Sequence, residues 1–206
     1  ITKEPTKPSV PTITEPEPIY EKSEIRVPEN ELNSATQHLA SGVYRIKNRY
    51  NNKYMDTNGG GISQGTELVQ WTSSPYINGN ANVPNRNQLF KIAYMGTFFG
   101  NYDYYTIRPM TNSGMGVHVS TDATPEHVVT IQPMSTTDNW SSIPYPQCFS
   151  IAASGNYYTI KNGTSYSSNY LGVETTSLDG RDLVIQNTIS STSEWIFERY
   201  TGKAID

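Results

Sequence analysis

The sequence predicts an all-β protein, a β-trefoil preceded by a Pro-rich extended tail, and three observations carry that prediction. A motif that opens Val43-Tyr44-Arg45-Ile46-Lys47-Asn48 returns as Tyr104-Tyr105-Thr106-Ile107-Arg108-Pro109 and again as Tyr157-Tyr158-Thr159-Ile160-Lys161-Asn162. Each opening is followed by a strand-like segment ending in glutamine (Gln70, Gln132, Gln186) and by a closing aromatic (Phe90, Phe149, Trp195). The isoleucines lie 61 and then 53 positions apart and the glutamines 62 and then 54, so the anchors keep register through both steps. Such periods mark a repeat architecture. Three copies of a four-strand unit close into a small barrel capped by hairpins, which removes exposed sheet edges.

The elements follow in chain order. Pro5, Pro8, Pro11, Pro16 and Pro18 punctuate a stretch of Thr, Glu and Lys with few apolar groups, which predicts an extended spacer over residues 1–40. The first forty positions hold seven acidic and four basic residues, three of the four net negative charges of the chain. Leu32, Ala35 and Leu39 share one face of a short helix expected between Pro28 and Ala40, which would dock on the body. A spacer of this type joins a module to something else. With Ile as first residue and no signal pattern before it, a processed protein or a piece of a longer one is expected.

The body is expected to span 41–200, in repeats of about 41–96, 97–153 and 154–200, with a tail over 201–206. No sustained helical period runs through it. Runs such as Val43–Lys47, Val128–Gln132 and Leu183–Gln186 alternate with the turn signals Asn58-Gly59-Gly60, Asn78-Gly79, Asn162-Gly163 and Asp179-Gly180. The 15 tyrosines, with abundant Thr, Ser and Asn, suit short strands and tight turns. The apolar anchors are expected to converge on the pseudo-threefold axis.

Charge and composition exclude some partners. A net charge of −4 gives no basic field for nucleic acid, and no apolar run is long enough for a transmembrane helix. Cys148, the one cysteine, can form no internal disulfide and reads as a small buried hydrophobe. His38, His118 and His127 lack metal-ligand spacing, and no cofactor or metal is expected. Gly61-Ile62-Ser63-Gln64-Gly65 has the letters of a nucleophile elbow, but in a Gly-rich turn rather than between a strand and a helix. The acids Asp103, Asp122, Glu174 and Asp179 read as a solvated face, so no enzyme is expected. Asn139-Trp140-Ser141 and Asn162-Gly163-Thr164 are formal glycosylation sequons. Phe98-Phe99 opens an insertion from Gly96 to Asp103, read as hairpin packing or as an exposed contact pair.

Tyr44-Arg45-Ile46-Lys47-Asn48, Lys53-Tyr54-Met55-Asp56, Gly65-Thr66-Glu67-Leu68-Val69-Gln70-Trp71 and Asn87-Gln88-Leu89-Phe90 together resemble one repeat of the ricin-type β-trefoil lectins. Gln88-Leu89-Phe90 stands where that family carries Gln-X-Trp, and Gln147-Cys148-Phe149 and Ser193-Glu194-Trp195 hold the same place in the other repeats. A sugar offers hydroxyls and one weakly apolar face, so a site needs a carboxylate, amides and an aromatic platform. The resemblance implies Asp56 as acceptor for two hydroxyls, Trp71 as platform, Asn87 as polar clamp and Gln88 as brace. It implies glycans, galactose-type among them, as ligands. It also implies a secreted setting and an attached or associated toxin or glycoside hydrolase.

A plainer reading stays open, in which Asp56 caps the Asn58–Gly61 turn and Trp71 is core. In repeat two, Val117 or His118 falls at the aspartate, Pro133 at the platform and Pro146 at the clamp. In repeat three these are Gly172, Asn187 and Thr192. One site is therefore expected, with Ser74–Arg86 as an insertion that walls or covers it. The alternative function is a degenerate trefoil acting as a protein-binding scaffold without sugar binding.

Overall fold

The computed structural model describes residues 20–22, 38–77, 83–98, 102–120, 126–163 and 169–201. Among these the regular structure is β1 (Tyr20–Lys22), β2 (Gly42–Asn48), β3 (Tyr54–Thr57), β4 (Leu68–Trp71), β5 (Phe90–Phe98), β6 (Tyr102–Pro109), β7 (Met115–His118), β8 (Thr130–Pro133), β9 (Phe149–Ser154), β10 (Tyr157–Asn162), β11 (Tyr170–Val173), β12 (Arg181–Gln186) and β13 (Glu194–Tyr200), with short 3₁₀ turns and no α-helix.

Six of these strands close a barrel in the order β2-β5-β6-β9-β10-β13 and back to β2, every pair antiparallel. The opening and closing motifs supply these strands. Tyr44 pairs with Phe90, Tyr105 with Phe149 and Tyr158 with Trp195, one such pair per lobe. Ile46, Ile107 and Ile160 are wholly buried beside the three closing aromatics. Alternation along each strand turns these residues inward together, so the repeat in the letters is a repeat in the core. The Asn that ends two of the opening motifs also has a task. Asn48 donates its amide to Thr192 O at 2.9 Å and Asn162 donates to Pro146 O at 3.2 Å, each pinning the turn of the neighbouring lobe.

Hairpins β3–β4, β7–β8 and β11–β12 cap one end. They interlock through Glu67–Thr130, Val128–Val184 and Asp182–Val69 pairings, a closed ring with threefold character. Leu68 N–H donates to Val129 O at 2.9 Å, and Val129 N–H to Leu183 O at 3.0 Å. Leu68, Val129 and Leu183 are all fully buried there.

This ring corrects one register in the sequence reading. Val69, Thr130 and Val184 are equivalent, so Trp71, Gln132 and Gln186 are equivalent two residues on. Gln70 is not the partner of Gln132 and Gln186; it stands where Ile131 and Ile185 stand. Its side chain instead crosses to the third lobe, donating to Thr176 O at 3.0 Å and Leu178 O at 2.7 Å. One glutamine became a cross-lobe tie, and the shared letter hid the shift.

The region before Ser41 also departs from a pure spacer. β1 adds to the outside of β13, with Tyr20 opposite Tyr200. Of the helix expected over 28–40, residues 28–37 lie outside the described residues and 38–40 are not helical. Leu39 is nonetheless buried in the main core, and Tyr44 Oη donates to Ala40 O at 2.6 Å. His38 stacks flat on Tyr94 with ring centroids 4.4 Å apart.

The 96–103 insertion is the far end of the β5–β6 hairpin, with Phe98 opposite Tyr102. Phe98 stacks on Trp140 at 4.7 Å and, with Met95, borders a satellite core of Tyr104, Met134, Ile143 and Cys148. That is packing, while Phe99 lies outside the described residues. Burial pushes the Cys148 thiol up to about 12, consistent with an inert core residue.

Candidate functional site

The β3–β4 hairpin sets the geometry. Tyr54 pairs with Trp71 and Asp56 with Val69. Directly paired residues share a face and side chains alternate, so Tyr54, Asp56, Val69 and Trp71 all lie on the face opposite Met55 and Leu68, which enter the core. The Asp56–Trp71 relation is the diagonal one, about 7 Å along the hairpin. Trp71 is 42% exposed, so it is not core, and Asp56 is 6% exposed.

The 3₁₀ turn 86–88 brings in the other two residues. Asn85 starts it by accepting from Asn87 N–H at 3.1 Å. Asn87 lies over the turn after β3: Thr57 Oγ1 reaches Asn87 O at 3.5 Å, and a Cβ on Gly60 would come within 2.9 Å of Asn87 Oδ1. Gly60 has φ +72 and no side chain, which permits this approach. Gln88 is fully buried: it donates to Thr72 O at 2.9 Å and accepts from Arg45 at 2.6 Å and Ser74 N–H at 2.9 Å. Gln88 thus holds the 72–74 backbone, and Gln147 in lobe two holds the matching carbonyls of Gln132 and Pro133 in the same manner.

Electrostatics single out Asp56. Burial pushes its carboxyl up to about 6, against the pull of a Gln88 hydrogen bond and the Arg45 charge, with Asp179 adding a push upward. Sequence reasoning had not drawn in Arg45. It is 3% exposed, its guanidinium lies 3.6 Å above the Tyr54 ring, and it bonds Gln88 and Ser73. The signal available was an arginine at a strand position where the other repeats carry Thr106 and Thr159. Arg45→Met is expected to move the acid midpoint of Asp56 above about 6, because the one cationic influence on it is lost. A ¹³C-carboxylate NMR titration reads that shift.

The equivalent positions differ in the other lobes. His118 faces Thr130 and Gly172 faces Val184, so these two, not Val117, occupy the Asp56 position. Gln132 and Gln186, rather than Pro133 and Asn187, stand at the platform. Pro146 and Thr192 stand at the clamp. At these equivalent positions, all among the described residues, only lobe one combines a carboxylate with an exposed aromatic.

The 74–86 insertion folds as a small hairpin base, with Tyr76 opposite Pro84 and Ile77 N–H donating to Val83 O at 3.0 Å; residues 78–82 lie outside the described set. Within the described residues it does not bury the indole. The 61–65 segment runs from a 3₁₀ turn into β4, so no helix follows Ser63 as an elbow requires. Of the sequon residues, Asn139 is exposed and Asn162 is buried.

No protein-family model matches the sequence, and a search of curated proteins returns no match. Solved structures do match in shape. The designed threefold-symmetric protein ThreeFoil superposes with TM-score 0.59 at 19% identity, covering 76% of this chain and 97% of that one. The agglutinin of Rhizoctonia solani gives 0.59 at 20% identity, covering 80% and 99%. An exo-β-1,3-galactanase of Clostridium thermocellum gives 0.56 at 20% identity over 79% of this chain and 31% of that one. With this barrel, its three interlocked hairpins and these likenesses, the chain has a β-trefoil fold.

Proposed function

We propose that this chain is a carbohydrate-binding module with one glycan site, in its first lobe, and that it directs an attached or associated partner to glycans. The observation that carries the reading is the exposed Trp71 indole on the same hairpin face as the Asp56 carboxylate, with Asn87 and Gln88 at the adjoining turn. The indole offers an apolar face for sugar C–H groups, Asp56 accepts hydroxyls, Asn87 donates and accepts, and Gln88 keeps the backbone in place. Galactose-type glycans are the first class to test. A single shallow site binds weakly, so useful retention requires several copies or a partner domain.

The agglutinin likeness supports the ligand class, and the match to about a third of a galactanase chain supports a module joined to an enzyme. A secreted setting with a toxin or glycoside hydrolase as partner belongs to the same proposal.

The near burial of Asp56 favours a second reading, in which the lobe's polar cluster is structural and Trp71 contacts a protein. Trp71→Ala separates the two. On a glycan array the wild-type protein is expected to be retained and the variant lost, while the melting temperature changes little because the indole is half exposed. Wild-type protein that ignores every glycan, with Trp71→Ala breaking a protein contact, selects the scaffold.

A further inference from the structure

Residues on both sides of the indole are held by the third lobe. Gly180 N–H donates to Gln70 O at 2.9 Å, and Thr72 N–H donates to Asp179 Oδ1 at 2.7 Å. The same oxygen accepts from Thr72 Oγ1 at 3.0 Å and from Lys53 Nζ at 2.6 Å. Gly180 has φ +74, and a Cβ there would sit 3.4 Å from Trp71 Cζ3, so the indole edge lies against this turn. Nothing in lobe one's own sequence pattern calls for these contacts. Asp179 is 107 positions from Thr72.

We propose that the Asp179–Gly180 turn of the third lobe is the positioning element for the Trp71 platform, which makes the glycan site an inter-lobe site. The inference rests on the reading of Trp71 as a sugar platform. Asp179 acts through Thr72 and Gly180 through the Gln70 carbonyl, so both are positioning residues. Four features fit this role. The backbone is clamped immediately before and after the residue that carries the ring. One carboxylate oxygen gathers three donors from lobe one. A left-handed glycine turns the chain within van der Waals reach of the ring edge. The clamp also persists in acid: partial burial works against ionisation, but the Lys53 and Thr72 hydrogen bonds and the Lys53 charge hold the Asp179 carboxyl below its usual range.

Without the clamp, the indole must be ordered by the ligand itself, which weakens binding by up to about tenfold. The test compares Asp179→Ala, Asp179→Asn and Lys53→Met. Asparagine keeps an oxygen acceptor for Thr72 N–H, and Lys53→Met removes the ion pair but leaves the clamp. Each protein is labelled with 5-fluorotryptophan and read by ¹⁹F NMR, and each is titrated with a galactoside oligosaccharide retained by the wild type.

Asp179→Ala is expected to shift and broaden the Trp71 resonance, leave those of Trp140 and Trp195 in place, and weaken the oligosaccharide several-fold. Asp179→Asn and Lys53→Met are expected to stay near wild type in both readouts. An unchanged Trp71 resonance in Asp179→Ala overturns the inference, as does an Asn variant that falls as far as the Ala variant. Wild-type protein that binds no glycan overturns the sugar reading instead, and the fluorine spectra then still decide whether the turn positions Trp71.

Discussion

Asp56→Asn is expected to remove glycan retention while making the protein more stable at neutral pH, two effects of opposite sign from one atom change. In the proposed site Asp56 is a charged acceptor of two hydroxyls, and hydrogen bonds to charged groups contribute about 1.5–3 kcal/mol each, so its replacement is expected to lower affinity by 100-fold or more. The stability gain follows from linkage. Folding raises this carboxyl from 3.8 to about 6, so the fold favours its protonated form. That contribution is complete below pH 3.8 and is lost as pH rises through about 6. At pH 7 and above, the wild-type fold therefore carries a buried charge costing about 2–3 kcal/mol, which the neutral amide avoids.

Urea unfolding of both proteins at pH 4 and pH 8 measures this directly. The variant should be the more stable at pH 8 and the difference should nearly vanish at pH 4. The wild-type glycan affinity should also fall about tenfold between pH 8 and pH 5, as the acceptor is protonated. Equal stability of the two proteins at pH 8 would show that Asp56 is not the desolvated carboxylate described here. Retained glycan binding by the variant would move the sugar chemistry elsewhere.

The largest stability effect belongs to Trp195. It is the largest of the fully buried side chains, pairs with Tyr158 on the adjacent strand, and donates its indole N–H to Leu171 O at 2.9 Å. Trp195→Ala is expected to cost about 3–5 kcal/mol through lost burial and a cavity at the pseudo-threefold core. Trp195→Phe matches the residue used at Phe90 and Phe149, and should cost less, about 1–3 kcal/mol, through the unpaired Leu171 carbonyl and the smaller ring. Guanidinium unfolding midpoints rank the three proteins. A Trp195→Phe variant as unstable as the Ala variant would contradict the equivalence of the three closing aromatics.

The fold was legible because its core anchors repeat. Tyr44/Phe90, Tyr105/Phe149 and Tyr158/Trp195 were spaced letters before they were strand pairs. The middle anchor misled for an instructive reason. A glutamine follows the strand core in all three lobes, but Gln70 lies one residue earlier than Gln132 and Gln186. A one-residue slip reverses the face of a strand residue. The slip moved the platform positions of lobes two and three from Pro133 and Asn187 to Gln132 and Gln186, and pairing chose His118 over Val117 of the two residues the sequence left open at the carboxylate position.

Within lobe one, the candidates Asp56, Trp71, Asn87 and Gln88 came from a resemblance in which each sits at a fixed offset from a strand or turn signal. Arg45 and Asp179 could not. Both reach the candidate site by contacts with Gln88 and Thr72 that converge from other strands or turns, and no local period records that convergence.

By itself, then, the sequence determined the all-β class, the threefold repeat and the buried aromatic anchors, because alternation and burial act between residues a strand apart. Only the tertiary structure decided which face Trp71 takes, how deeply Asp56 is desolvated, and that the third lobe grips the first. Those depend on pairing between segments some hundred residues apart, such as Gly180 with Gln70, where only closure of the hairpin ring brings the partners together.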